Sequence, residues 1–142
     1  MPDELDIFIN NVINISANLS LYVAKAGEKS KEELADLNVE QMNEGLLSTG
    51  KKITPKYSKA YAKFKGFSTP NLKLEGDFQS GVYVERKGNR LLYDSKDEKS
   101  NKLEEKYTSD IFSIAQKNEQ KAADEMDDDL LNSIDKDLLK NI

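Results

Sequence analysis

At 142 residues the chain has the length of one ordinary domain, and with 37% apolar and 33% charged residues its expected core is small for its surface. It carries no Cys and no His, which excludes disulfides, Cys- and His-based zinc sites, thiol nucleophiles and any triad with an imidazole base. The formal net charge of −5 conceals a basic middle, with seven Lys and no Asp or Glu between Gly50 and Leu74, beside the acidic run Asp124-Glu125-Met126-Asp127-Asp128-Asp129.

The acidic opening Met1-Pro2-Asp3-Glu4-Leu5-Asp6 lacks the basic start and unbroken apolar run of a secretory signal. From Leu5 to Ala24 the sequence approaches a membrane span in length, but Asn10, Asn11, Asn14, Ser16 and Asn18 interrupt it at a cost in hydrocarbon. It therefore reads as a soluble amphipathic helix. Leu5, Phe8, Val12, Ile15, Leu19 and Tyr22 recur at alternating steps of three and four, with Ile9 and Ile13 widening the stripe. Such a face is expected to pack inside its own domain or on a ring neighbour, and Ala26-Gly27 is predicted to end the helix as a glycine C-cap.

Ser30 opens a second helical stretch, with Glu33 three residues on in the pattern of a capping box. Leu34, Leu37, Met42, Leu46 and Leu47 supply its buried side, Asn38 is a candidate break, and Gly45 and Gly50 weaken and end it. Thr54-Pro55 and Thr69-Pro70 bracket a connector, because a residue before proline is pushed away from helical angles. Within it Tyr57, Tyr61 and Phe64 fall on one face of a short helix, with Lys56, Lys59, Lys63 and Lys65 on the other turns, so the expectation is aromatics in and lysines out. The functional alternative for this stretch is a phosphate-tracking surface with stacking rings.

From Phe78 to Asp94 the pattern is a β-hairpin, Val82–Arg86 and Arg90–Asp94 around Lys87-Gly88-Asn89, because a Gly-Asn pair suits the positive backbone angles of a tight turn. Leu72 and Leu74 are candidates for a short third strand, and a neighbouring subunit is another way to complete the sheet. Leu103 and Tyr107 mark a short helix, and Ile111, Ile114 and Ala115 open another. The spacing Ala122, Met126, Leu130, Ile134, Leu138 predicts a final amphipathic helix, bent or broken around Asp127-Asp128-Asp129. The fold class is α+β and helix-rich: residues 1–121 as one domain, residues 122–142 as an acidic amphipathic helix or tail.

The stretch from Gly50 to Phe78, GKKITPKYSKAYAKFKGFSTPNLKLEGDF, combines Gly-Lys-Lys, two Thr-Pro pairs, the Tyr-Ser-x-x-Tyr-x-x-Phe-Lys run and a closing Leu-x-Leu-x-Gly-Asp-Phe. That order resembles a segment of the neck or tail-completion type of minor virion proteins of tailed bacteriophages. The resemblance extends past Val82-Tyr83-Val84 to Lys106–Ile114, with Thr108 and Ser113 where glycine is usual in that family. About half the chain is covered. The resemblance implies a structural subunit of the virion, assembled in the bacterial host cytoplasm. It would form a homo-oligomeric ring between the portal or connector and the tail.

No residue pattern adds an enzyme to this reading. Glu75 and Asp77 flank a glycine without a third ligand, Asp127–Asp129 lacks the spacing of a calcium loop, and Gly50-Lys51-Lys52 lacks the glycines of a phosphate loop. The chain is expected to be non-enzymatic, without cofactor or metal and without membrane contact. Its interface residues are expected to be Leu5, Phe8 and Val12 on the first helix, Lys56, Lys59 and Lys63 in the connector, and Asp127, Asp128, Asp129, Leu130, Ile134 and Leu138 on the last helix. The alternative reading is a stand-alone nucleic-acid-binding protein using the Lys51–Lys73 patch. A general nucleic-acid binder is expected to be basic overall, which favours protein contacts.

Overall fold

Asp3 starts the first helix: its carboxylate accepts from the Asp6 N–H at 2.8 Å and caps α1 (Glu4–Ala17). A computed structural model describes residues 2–72 and 77–142 of the chain. The stripe expected to form one helix to Ala24 is instead split at Asn18, and α2 (Leu19–Lys29) leaves at 70° to α1. Asn18 itself sits at φ −118° and ψ 22°, outside helical angles, while its Nδ2 donates to the Asn14 carbonyl at 2.8 Å. This local bond offers the chain an alternative to the helical ladder.

Gly27 does not end the helix as expected. It is buried within α2, and a Cβ built there would lie 2.3 Å from Cδ1 of Leu91, so the missing side chain lets helix and hairpin approach. Ser30 does stand at the start of α3 (Lys31–Asn43), but without a capping-box bond. Its hydroxyl donates instead to the Glu125 carbonyl at 2.7 Å, tying the α2–α3 corner to the last helix. Asn38 does not break α3 either, because its side chain is buried and bonded outward, as described below.

The hairpin is present as expected. β1 (Val82–Lys87) pairs antiparallel with β2 (Arg90–Ser95), Lys87 opposite Arg90 across a two-residue Gly88-Asn89 turn and Val82 opposite Ser95. Phe78 belongs not to this hairpin but to a helical turn, Asp77–Ser80. Leu72 has φ 61° and so does not continue a strand, and Leu74 lies outside the described residues; among those residues the sheet has two strands.

Between hairpin and C-terminus come α4 (Ser100–Tyr107) and the last helix, α5 (Glu119–Leu138). The helix expected at Ile111–Ala115 is absent; two 3-10 turns, Ser109–Ile111 and Gln116–Asn118, flank an irregular stretch that bends at Ser113 instead. Nor is α5 broken at Asp127–Asp129: it runs for 20 residues, because its apolar stripe lies against α1, α2 and α3 while Asp127 and Asp128 stay outside.

Met42, Leu47, Ile53, Leu72, Phe78, Leu103, Tyr107, Ile111 and Phe112 form one buried cluster, in which the Phe78 and Phe112 rings stand 5.9 Å apart. Leu34, Ala35 and Val84 form a second, closed over by Ala122 and Met126 of α5, and Tyr93 packs against both. The hairpin lies against α2 and α3, α5 packs across α1, α2 and α3, and α1 leaves the corner at Asn18.

Candidate assembly surfaces

Two buried amides hold the loop that follows α4. On α3, Asn38 and Gln41 are fully buried; Asn38 Nδ2 donates to the Ile111 carbonyl at 3.0 Å and its Oδ1 accepts from the Ser113 N–H at 3.3 Å. Gln41 Nε2 donates to the Ser113 carbonyl at 3.0 Å, and its Oε1 accepts from the Ala115 N–H at 2.7 Å and from Asn118 Nδ2 at 3.0 Å. This network holds a backbone of unusual shape, with φ 71° at Thr108 and 88° at Ser113, a region side chains other than glycine and asparagine seldom adopt. Sequence patterning missed it. The available signal was two amides on the Leu34-bearing face of α3, where apolar residues are expected.

The apolar stripe of α1 is largely uncovered. Only Ile15 of that helix is buried, while Leu5 is 64% exposed, Ile13 57%, Ile9 46%, Val12 40% and Phe8 37%. Beside the buried Ile15, polar bonds fasten α1 to the end of α5: Asn11 Nδ2 donates to the carbonyls of Leu138 and Lys140, at 3.0 and 2.9 Å. The Tyr22 hydroxyl of α2 donates to the Asp137 carboxylate on α5, and that bond, aided by desolvation and the negative charge, raises the phenol's pKa above its ordinary value. α1 is thus fastened at Ile15 and by polar bonds, and presents most of its apolar face outward. Among the described residues no single helix is long and apolar enough to cross a membrane; α1 and α2 reach that length and apolarity only as the bent pair.

The aromatic connector departs most from expectation. Its helix, α-turned over Lys59–Lys65, starts after Tyr57, capped by the Ser58 hydroxyl on the Tyr61 N–H at 3.3 Å. Phe64 is 85% exposed, Tyr61 and Phe67 41% each, so the rings are not inside. The helix is short and contributes no residue to the buried clusters, and its rings pack on one another. Tyr57 and Tyr61 meet edge to face at 4.8 Å, Tyr61 and Phe64 lie 6.4 Å apart, and the Lys65 ammonium sits 5.9 Å from the Tyr61 ring centre. Lys56, Lys59 and Lys63 are exposed around them. Between this helix and α4 lies an open pocket of about 410 Å³, walled by Tyr57, Tyr61 and Tyr107 and flanked by Lys56 and Lys106.

On α5, Asp127 and Asp128 are exposed, and Asp129 is half-buried at 4.0 Å from Lys29. Leu130, Ile134 and Leu138 are half-buried, whereas Leu131 and Leu139 beside the stripe are 57% and 63% exposed. The structure therefore brings the outer residues of α1 together on one face, but it brings neither Lys56, Lys59 nor Lys63 into an ion pair with Asp127–Asp129 among the described residues. Glu75 lies outside the described residues; among these, no three carboxylates converge to hold a metal ion. A larger groove of about 790 Å³ between α3 and β1 is lined by Lys31, Glu32, Asp36, Glu85 and Lys96 with Tyr83, a surface of mixed charge without a polarised centre.

Compared with known proteins, the chain matches no family model, no curated sequence and no solved structure.

Proposed function

We propose that this protein is a structural subunit of a tailed-phage virion, of the neck or tail-completion type, forming a ring between the portal or connector and the tail. The observation that carries the reading is the backbone at Thr108 and Ser113. Both take the positive φ that glycine favours, at the two positions where the resembled family has glycine. A shared backbone path explains why this chain keeps the turn without the residue that makes it easy. The exposed face of α1 supports an assembly role, since water-exposed Leu5, Phe8, Ile9, Val12 and Ile13 are stabilised by a partner and interfaces of permanent assemblies are apolar. In this reading α1 seats the subunit on the connector.

The test begins with the gene neighbourhood, where portal, capsid and tail genes are expected. In the phage so identified, a nonsense mutation in this gene leaves filled heads and finished tails unjoined by electron microscopy. Joined, infectious particles lacking the protein would remove the reading.

A second reading, binding of single-stranded nucleic acid, is favoured by one observation: Tyr61, Phe64 and Phe67 are exposed among lysines, as in a stacking platform. The net charge of −5 works against it.

A further inference from the structure

Each copy of this protein carries two strongly charged surfaces of opposite sign that do not meet within it. The 59–65 helix and its approach present Lys56, Lys59 and Lys63, exposed and, like Lys65, without an ion-pair partner among the described residues. On α5 the exposed Asp124, Asp128, Leu131 and Asp135 follow one another by four, three and four residues, so they line one face of the helix. That face is acidic with an apolar centre, Leu131 being 57% exposed. The lysine face has the complementary composition: Lys59 and Lys63 are one turn apart, and Phe64 beside them is 85% exposed.

We propose that the basic aromatic helix at 59–65 of one copy docks on the outer face of α5 of the next, Lys59 and Lys63 against Asp124 and Asp128, with Phe64 covering Leu131. This rests on the neck-subunit reading for its biological setting only. Charge selects the occupant: lysine face repels lysine face and carboxylate face repels carboxylate face, so copies join through unlike surfaces. A contact of this heterologous kind propagates head to tail and closes into a ring when its rotation allows. A nucleic-acid strand also suits lysines and rings, but its phosphates would be repelled by the acidic face and by the net charge of −5. Exposed ion pairs are individually weak and screened by salt, so the contact depends on the cluster and on covering the ring.

Because the chain has no cysteine, the contact can be mapped with single thiols. Lys63→Cys and Asp128→Cys variants, mixed and treated with a short bis-maleimide, are expected to give a mixed cross-linked dimer, and each alone little product. A second experiment uses charge. The triple reversal Lys56→Glu, Lys59→Glu, Lys63→Glu is expected to weaken self-association roughly a hundredfold in low salt, and Asp124→Lys with Asp128→Lys to do the same. An equimolar mixture of the two reversed proteins restores association, since each then offers a surface the other lacks. Circular dichroism confirms that the variants are folded.

A wild-type protein that sediments as a monomer at high concentration overturns the inference, as does failure of the mixture to associate or equal cross-linking of Lys63→Cys with itself. So does a triple reversal that leaves self-association unchanged while abolishing binding of a fluorescent single-stranded DNA oligonucleotide, which would assign the helix to nucleic acid. Each of these outcomes leaves the neck reading to its own test, the joining of heads to tails.

Discussion

The Tyr22 hydroxyl donates to the carboxylate of Asp137, 115 residues further along the chain, and so fastens the bent N-terminal helix pair to the end of α5. Replacement by Phe removes the bond and little else. Because the pair is partly exposed, Tyr22→Phe is expected to cost about 1 kcal/mol in urea unfolding at neutral pH. The bond raises the phenol's pKa, so its contribution is fully present below the unfolded value of 10.0 and is lost as pH rises through the folded one. The difference between wild type and variant therefore shrinks above pH 10.

Tyr93 supplies a larger alkaline effect. Burial between the two core clusters pushes its phenol from 10.0 up to about 12. The sign is the same: the unfolded chain releases this proton first, so stability falls as pH climbs from 10 to 12. Wild type should lose on the order of 2 kcal/mol more over that interval than Tyr93→Phe, measured by denaturant titration at each pH. Parallel pH curves for the two proteins would contradict the assigned cause.

The amide network makes a sharp prediction for Asn38. Truncation to Ala strands the Ile111 carbonyl in the interior and frees the part-buried Ser113 N–H, and the expected loss is about 2 kcal/mol. Asn38→Ala and Gln41→Ala both release Ser113, so the double variant should lose less than the sum. Thermal unfolding of the four proteins in the cycle measures the coupling.

Two phenylalanines of equal size are expected to behave oppositely. Phe78→Ala empties a fully buried site and should cost about 3 to 5 kcal/mol. Phe64→Ala, at an 85% exposed ring, should change stability by no more than about 0.5 kcal/mol. A large loss of stability at Phe64 in dilute protein would show the ring to be covered within one copy.

Gly27 and Leu91 form the last pair. Alanine usually stabilises a helix interior relative to glycine by about 1 kcal/mol, but here the added methyl meets Leu91. Gly27→Ala is therefore expected to destabilise the protein alone and to become neutral or stabilising in a Leu91→Ala background, as read from the shift in melting temperature.

By itself the sequence determined the elements whose cause is local. The Gly88-Asn89 turn lies between strands because the positive φ of Gly88 and the flanking apolar residues act over a few residues, and the periodic stripes of α1 and α5 locate helices for the same reason. Their continuity was not legible. Asn18 breaks a stripe that periodicity runs through, whereas Asp127–Asp129 leaves α5 whole because α1, α2 and α3 hold its other side. Burial likewise belongs to the tertiary structure. Phe64 and Phe78 are the same residue, yet Phe78 packs on Phe112 inside the larger cluster while Phe64 stands in water on a helix that joins neither cluster. Asn38 looks like a helix breaker until the 111–118 segment, more than 70 residues away, arrives with donors and acceptors that Asn38 and Gln41 satisfy. Sequence periodicity records which faces are apolar; which of those faces the protein itself covers depends on where distant segments come to lie.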